Sequence, residues 1–369
     1  KKYPDIDMPT AITQIAGRQV AAEKIPSWRE MEEIWYPKHL SLEQCSSEIT
    51  ARYKARLSQG DSLTDLTGGF GIDCSFLATG FKSATYVERQ EELCEIAAHN
   101  FPILHLNHIN VRNEDGVAYL QTMSPVDCIF LDPARRNEHG GKTVSIADCE
   151  PNVAELEDLL LSKASRIMIK LSPMLDLSLA LKELKHTQEV HILSVNNECK
   201  ELLILLGQTS PAEITIHCVN LFTKGTQEEQ HFVFTREQEQ RSQCTYTDSL
   251  GDYLYEPNAS LLKAGAFRSI AAAYPVRKLH PNSHLYTSDT FIENFPGRIF
   301  RIVNQCSFNK KEVKENLADL KKANVTVRNF PATVAELRKR IHLAEGGDTY
   351  LFASTLNNGQ KVIIRCEKV

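Results

Sequence analysis

The amino-acid sequence predicts an α/β protein. Its main body is a seven-stranded, mostly parallel sheet covered by helices, with a helical N-terminal extension and a small α+β domain at the C-terminus. Three observations predict it. From Ser62 onward, short apolar runs alternate with segments of helical period, the order that builds a parallel sheet. Several runs, such as VDCIFLD, are apolar with little alternation, as expected of strands buried on both faces. Residues 298–369 then change to a β-α-β-α-β-β order, which suits a ferredoxin-like sandwich.

Residues 1–60 read as helical. ITQIAGRQVAAEKI has apolar residues near helical spacing and stops before Pro26, and SLEQCSSEITARYKARL reads as a helix with Ser41 as N-cap. Residues 61–240 form the sheet domain. SLTDL, SATYVER, HINVRN, VDCIFLD and SRIMIKLS are its first strands. GIDCSFLATG, QEELCEIAAHNF, EDGVAYLQTM, NVAELEDLLLSKA and DLSLALKEL are the intervening helices. EVHILSV and EITIHCVNLF follow as strands, with CKELLILLG read as a short helix between them. QHFVFTR closes the domain, and the polar tip TKGTQEEQ makes the last two strands a reversed hairpin. Residues 241–297 connect the domains. The polar run EQEQRSQCTYTDSLGD reads as a linker or surface excursion, and LYEPNASLLKAGAF as a strand or turn and then a helix. The C-terminal domain, residues 298–369, ends in a hairpin turned by NNG.

Lys and Arg number 42 against 47 Asp and Glu, a net charge of −5, which weighs mildly against a nucleic-acid binder. The distribution matters more. Between Arg298 and Arg340, bases such as Lys310, Lys311, Lys314, Lys339 and Arg340 outnumber the acids. Either this is a basic module on an acidic body or the charges are solvated helix faces. The ten cysteines are scattered with no Cys-x-x-Cys pair, which reads as reduced, cytoplasmic thiols packed as small hydrophobes, with no metal site. No run of 18 apolar residues marks a membrane span. The sequence opens at Lys1, so any targeting segment ahead of it is out of view.

The chemistry concentrates at the ends of strands. DLTGGFG, Asp65 to Gly71, lies between a strand and a helix, where glycines let the backbone approach a ligand and present amides. A dinucleotide site wants G-x-G-x-x-G, but Cys74 stands where the third glycine belongs. A methyl-donor site wants an acid and then spaced glycines: Asp65, Gly69 and Gly71 match, with Thr67 in place of the first glycine. Glu88 ends the next strand, where an acid accepts hydrogen bonds from ribose hydroxyls. Asp115 follows the third strand, and is also a good helix N-cap. FLDPARR, Phe130 to Arg136, follows an apolar strand and sets Asp132 and Pro133 at the sheet's C-terminal edge.

This order resembles the class I, Rossmann-like methyltransferases that use S-adenosylmethionine. The resemblance places Asp115 and Gly116 beside the adenine, and gives Asp65, Thr67, Gly69, Gly71, Glu88 and Asp132 to the cofactor. DPAR is similar to the D-P-P-Y and D-P-A-R motifs of nucleic-acid methyltransferases, which makes Asp132, Pro133 and Arg135 catalytic candidates. Lys170, in IKLSPML, is a candidate for the same pocket. Arg135 replaces the aromatic of the amino-methylating motif, as in RNA uridine-C5 methyltransferases. Those enzymes need a cysteine in an S-C-N-P segment after the fifth strand, and the corresponding Lys170, Leu171, Ser172 and Pro173 include none, so methylation at nitrogen or oxygen is expected instead. Arg135 and Arg136 either hold a phosphate or base edge, or pair with Glu138 or Glu150.

Nearly the full chain resembles a bacterial group of such enzymes with a THUMP-like C-terminal domain. NFPATVAELRKRIHLAEGGDTYLF, KVIIRCEKV, EQCSSEITARYKARL and NECKE carry that resemblance. True THUMP domains bind RNA, so it implies an RNA partner, tRNA or rRNA; the residue pattern itself leads to the expectation of neither membrane nor metal. A protein or small-molecule acceptor, or a cofactor-binding scaffold without catalysis, stays open, as does the oligomeric state.

Overall fold

The computed structural model describes residues 7–135 and 145–369. The chain divides into two compact units, residues 1–195 with 200–214, and residues 196–199 with 215–369.

The first unit opens with α1 (Met8–Lys24), α2 (Pro26–Arg29), α3 (His39–Gln44) and α4 (Glu48–Ala55). One helix across SLEQCSSEITARYKARL was expected; the chain instead turns extended at Cys45 and restarts with Ser47 as N-cap. The break leaves Ser46 between two helices, its hydroxyl turned inward to buried charges.

The alternating region follows as β1 (Gly60–Asp65), α5 (Ile72–Leu77), β2 (Phe81–Glu88), α6 (Glu91–Ile103), β3 (Ile109–Asn113), α7 (Gly116–Thr122) and β4 (Val126–Leu131). It continues with β5 (Ala134–Arg135), β6 (Cys149–Glu150), α8 (Val153–Lys163), β7 (Ala164–Leu171), α9 (Leu177–Glu183), β8 (Thr187–Val195) and β9 (Glu198–Gly207). The sheet strands of this unit lie in the order β8-β9-β7-β4-β1-β2-β3. Strands β1, β2, β3, β4 and β7 are parallel, and β9 runs antiparallel to β7. Leu63, Phe130, Met168 and Leu205, from four neighbouring strands, pack in one core cluster.

Strand β9 corrects the reading of CKELLILLG as a helix. Asn196 and Asn197, both at positive φ (49° and 68°), make the two-residue turn that folds β9 back beside β8. The apolar stretch from Glu201 to Gly207 is buried throughout, and sheet pairing overrides leucine's helical preference. Strands β8 and β9 thus form a hairpin that the sequence reading did not include.

Strand order reverses at β1, which lies between β2 and β4. Such a switch point opens a crevice beyond the C-terminal ends of the strands. Asp65 ends β1 and Asp132 follows β4, so both stand at its mouth.

The second unit contains β10 (Thr215–Leu221), β11 (Glu229–Thr235), α10 (Arg236–Arg241), β12 (Tyr253–Pro257), α11 (Ala259–Ala264), α12 (Ser269–Ala273), β13 (Arg277–Lys278) and β14 (Tyr286–Ser288). It ends with β15 (Gly297–Ser307), α13 (Lys310–Leu317), β16 (Lys322–Val327), α14 (Val334–Ile341), β17 (Ala344–Thr355) and β18 (Lys361–Lys368). The expected antiparallel pairing of EITIHCVNLF with QHFVFTR is present as β10–β11. The polar run after it is not wholly a linker, because it starts with α10, capped reciprocally by Thr235 and Gln238. A sheet of order β13-β14-β12-β15-β18-β17-β16 carries α13 and α14 on one face through Val313, Leu317 and Leu337. Phe300 and Phe352 point to the other face and pack with Leu254, Leu279 and Leu285.

All ten cysteines are free thiols, most of them buried. No helix among the described residues is long and apolar enough to cross a membrane.

Candidate active site

The turn between β1 and α5 is shaped by its glycines. Gly69 and Gly71 hold φ of +53° and +84°, and Gly71 caps α5 in the left-handed conformation. Gly68 has no room for a side chain, since a Cβ there would lie 2.3 Å from the Tyr86 ring. The residues expected to bind cofactor also pin this loop. Asp65 Oδ1 accepts from Thr67 N at 3.0 Å, and Glu88 Oε2 accepts from Gly69 N at 2.9 Å. Thr67 Oγ1 accepts from Asp132 N at 2.6 Å, tying β1 to β4. Phe70, at the tip, is buried against Trp28 and Tyr36 of the N-terminal region.

The predicted cofactor residues converge on this edge. Asp115 is the N-cap of α7: its Oδ1 accepts from Val117 N and Ala118 N, both at 3.0 Å, while the residue stays exposed. Gly116 presses on the loop, since a Cβ there would lie 2.2 Å from the Leu66 carbonyl oxygen. Asp65 is 1% exposed and its Oδ2 has no hydrogen-bond partner among the described residues. Burial pushes this carboxyl well above the usual range, with Asp73, Asp132 and Glu88 adding to it. A buried, unpartnered carboxylate beside a glycine cradle suits a ligand with a cationic amino group, and S-adenosylmethionine fits that donor set.

Asp132 and Lys170 meet, their side chains 2.5 Å apart. Lys170, next to last in β7, is buried, and its Nζ also donates to Ser46 Oγ at 3.0 Å and to Asp73 Oδ2 at 3.3 Å. Lys54, on α4 and wholly buried, reaches Asp73 Oδ1 at 2.9 Å, Glu201 Oε2 at 2.5 Å and Ser46 Oγ at 2.9 Å. Burial opposes charge on Asp73, but the Lys54 and Lys170 ammonium groups hold it down at about 2. Burial likewise works against the Lys170 ammonium, and Asp132, Asp73 and Glu201 more than offset this, holding it well above the usual lysine range.

Pro133 is buried, and Ala134–Arg135 pairs its backbone with Cys149–Glu150. The Arg135 side chain, Arg136 and Glu138 lie outside the described residues. Glu150, considered as an arginine partner, lies 3.7 Å from Arg89.

Sequence reasoning missed Ser46, Lys54, Asp73 and Glu201 as site residues. One signal was present: in EITARYKA, Lys54 follows Thr50 and Ala51 at the helical spacing of a buried face.

The fold and this crevice define an α/β methyltransferase body followed by a separate C-terminal module. A model of the protein-L-isoaspartate(D-aspartate) O-methyltransferase family matches residues 30–137. A ferredoxin-like domain model matches residues 253–296, and a THUMP domain-like model residues 297–368. A crystal structure from Porphyromonas gingivalis W83, designated a methyltransferase, is 37% identical, with 99% of this chain and 92% of that one covered at a TM-score of 0.90. The chain belongs to that family, the class I S-adenosylmethionine-dependent methyltransferases with a THUMP-like C-terminal domain. An rRNA methylase from Streptococcus thermophilus is 13% identical over 43% of this chain and 93% of that one, at a TM-score of 0.31. A methyltransferase from Streptococcus mutans in complex with SAH is 12% identical over 43% and 96%, also at 0.31. Neither is similar enough to bear on the chemistry here. No curated protein matches the chain.

Proposed function

We propose that the protein methylates RNA, tRNA or rRNA, at a nitrogen or oxygen atom. The observation that carries this reading is the Asp132–Lys170 pair at the ends of β4 and β7, beside the glycine loop. When bound, S-adenosylmethionine supplies a methyl group already activated by its sulfonium, so catalysis is mostly a matter of placing a nucleophile. Asp65 is suited to its amino group, Glu88 to the ribose, and Asp115 with Gly116 to the adenine. Asp132 is left to accept the N–H or O–H of the acceptor and to take its proton. Pro133 fixes the backbone behind it, Lys170 holds its carboxylate in place, and Arg135 is the candidate for a phosphate or base edge. Uridine C5 chemistry lacks its nucleophile, because Ser172 and Pro173, not a cysteine, follow β7.

The THUMP domain-like match supports an RNA acceptor. Within the basic stretch, Arg298 and Arg328 are occupied by Glu256, and Arg301 by Glu367. Lys310, Lys311 and Lys314 on α13 and Lys339 on α14 are exposed, and they are the candidates for phosphate contacts.

The test is to incubate the purified protein with methyl-labelled S-adenosylmethionine and total RNA from a strain lacking it. Label in one RNA fraction is expected, and none in any fraction would overturn the reading. The isoaspartate methyltransferase match favours a protein acceptor as the second reading. Label entering protein without RNA would select it.

A further inference from the structure

The described residues of the first unit bring five ionisable side chains around the Ser46 hydroxyl. Lys54 lies between Asp73 and Glu201, at 2.9 Å and 2.5 Å, and Lys170 between Asp73 and Asp132, at 3.3 Å and 2.5 Å. Ser46 Oγ donates to Asp73 Oδ2 at 2.7 Å and reaches Glu201 Oε1 at 3.2 Å. Four of the five are buried, while the Asp132 side chain remains 37% exposed. Two ammonium groups thus face three carboxylates. With every group ionised the cluster carries one surplus negative charge, an arrangement strongly disfavoured in an interior unless something cancels it. Asp132 is the member open to a newcomer, and Thr67 links it to the cofactor loop.

We propose that this surplus charge is kept for a cation, the sulfonium of the cofactor before transfer and the proton of the acceptor after it. Lys54, Asp73, Glu201 and Ser46 act as positioning residues that set the balance. The proposal rests on the methyltransferase reading above. In the transfer, the acceptor's lone pair forms the bond to the methyl carbon. The carbon–sulfur bond breaks with its electron pair left on sulfur, and the acceptor's proton passes to Asp132. A positive charge leaves sulfur as one arrives on the cluster, so the total charge of the pocket does not change. Lys170, held by three acceptors, keeps its proton. The charged groups facing Asp132 are Lys170 on β7, Asp73 on α5, Lys54 on α4 and Asp65 on β1, with Lys24 of α1 acting on Lys170.

The test compares S-adenosylmethionine with S-adenosylhomocysteine by calorimetric titration of the full chain between pH 5 and 9. Both ligands carry the same amino, ribose and adenine groups, so Asp65 and the loop cancel in the ratio of affinities. The preference for S-adenosylmethionine should rise with pH, at most tenfold per pH unit, and then level off. Glu201→Gln removes a negative charge and should move the midpoint down by about one pH unit; Lys54→Met should move it up by about as much. In Lys54→Met/Glu201→Gln the pair leaves together, so the midpoint should return towards wild type, and this variant serves even where the single ones fold poorly. A ratio independent of pH, single variants that shift the same way, or binding of neither ligand would overturn the proposal. RNA labelling that fails while the ratio behaves as stated would overturn the acceptor assignment instead.

Discussion

Asp65 shows how a single residue can shape the fold and also stand in the proposed cofactor site. One oxygen holds Thr67, while the other is buried without a partner among the described residues. Burial raises its pKa, so the folded protein retains the proton to a higher pH than the unfolded chain, whose aspartates titrate near about 3.9. Below that pH both states hold the proton and the residue costs nothing. As pH rises towards the folded value, the unfolded chain ionises first and stability falls. Asp65→Asn cannot titrate, so in urea unfolding without ligand the variant should gain on wild type between pH 4 and 7. Parallel curves would refute this. The positions of Asp65, Glu88 and Asp132 at the ends of strands, and of Asp115 at the start of a helix, could be read from the sequence. The meeting of Lys54 and Glu201 could not, because 147 residues separate them and nothing local couples them.

Among the elements, the N-terminal helices pack against the β1–α5 loop, where the cofactor is proposed to bind. Phe70 leaves the loop and packs edge-on to Trp28, ring centres 5.2 Å apart, within a cluster that includes Ala21, Ile25, Tyr36 and Leu42. Phe70→Ala should cost about 3–5 kcal/mol of stability in urea unfolding and weaken S-adenosylmethionine binding in calorimetry. Unchanged affinity would show that the loop keeps its shape without this anchor. The parallel strands and their helices could be read from periodicity. Strand β9 could not, since a short, uniformly apolar run looks the same in a buried helix and a buried strand, and only its neighbours decide. The break at Cys45 was hidden for a related reason. Ser46 and Ser47 are tolerated in a helix, and what stops it is the pull of buried charges on the Ser46 hydroxyl.

At the scale of the whole molecule, the acidic net charge of −5 conceals a basic helical face in the C-terminal domain. Replacing Lys310, Lys311, Lys314 and Lys339 by Gln should weaken binding of fluorescent tRNA across 50–200 mM salt. Each lost phosphate contact should flatten the double-logarithmic salt slope by about 0.7, measured by anisotropy. An unchanged slope would place the RNA elsewhere. The Asn196–Asn197 turn has a different kind of consequence. Its residues count with the second unit, where Asn196 N donates to the Leu221 carbonyl, Asn197 N to Asn220 Oδ1, and Ala259 N to Asn197 Oδ1. The chain passes from one unit to the other after residues 195, 199 and 214. A gene cut at residue 214 therefore strands four residues of the second unit on the wrong piece and deprives the start of α11 of an acceptor. Recombination between relatives has to carry this tip along with the C-terminal half.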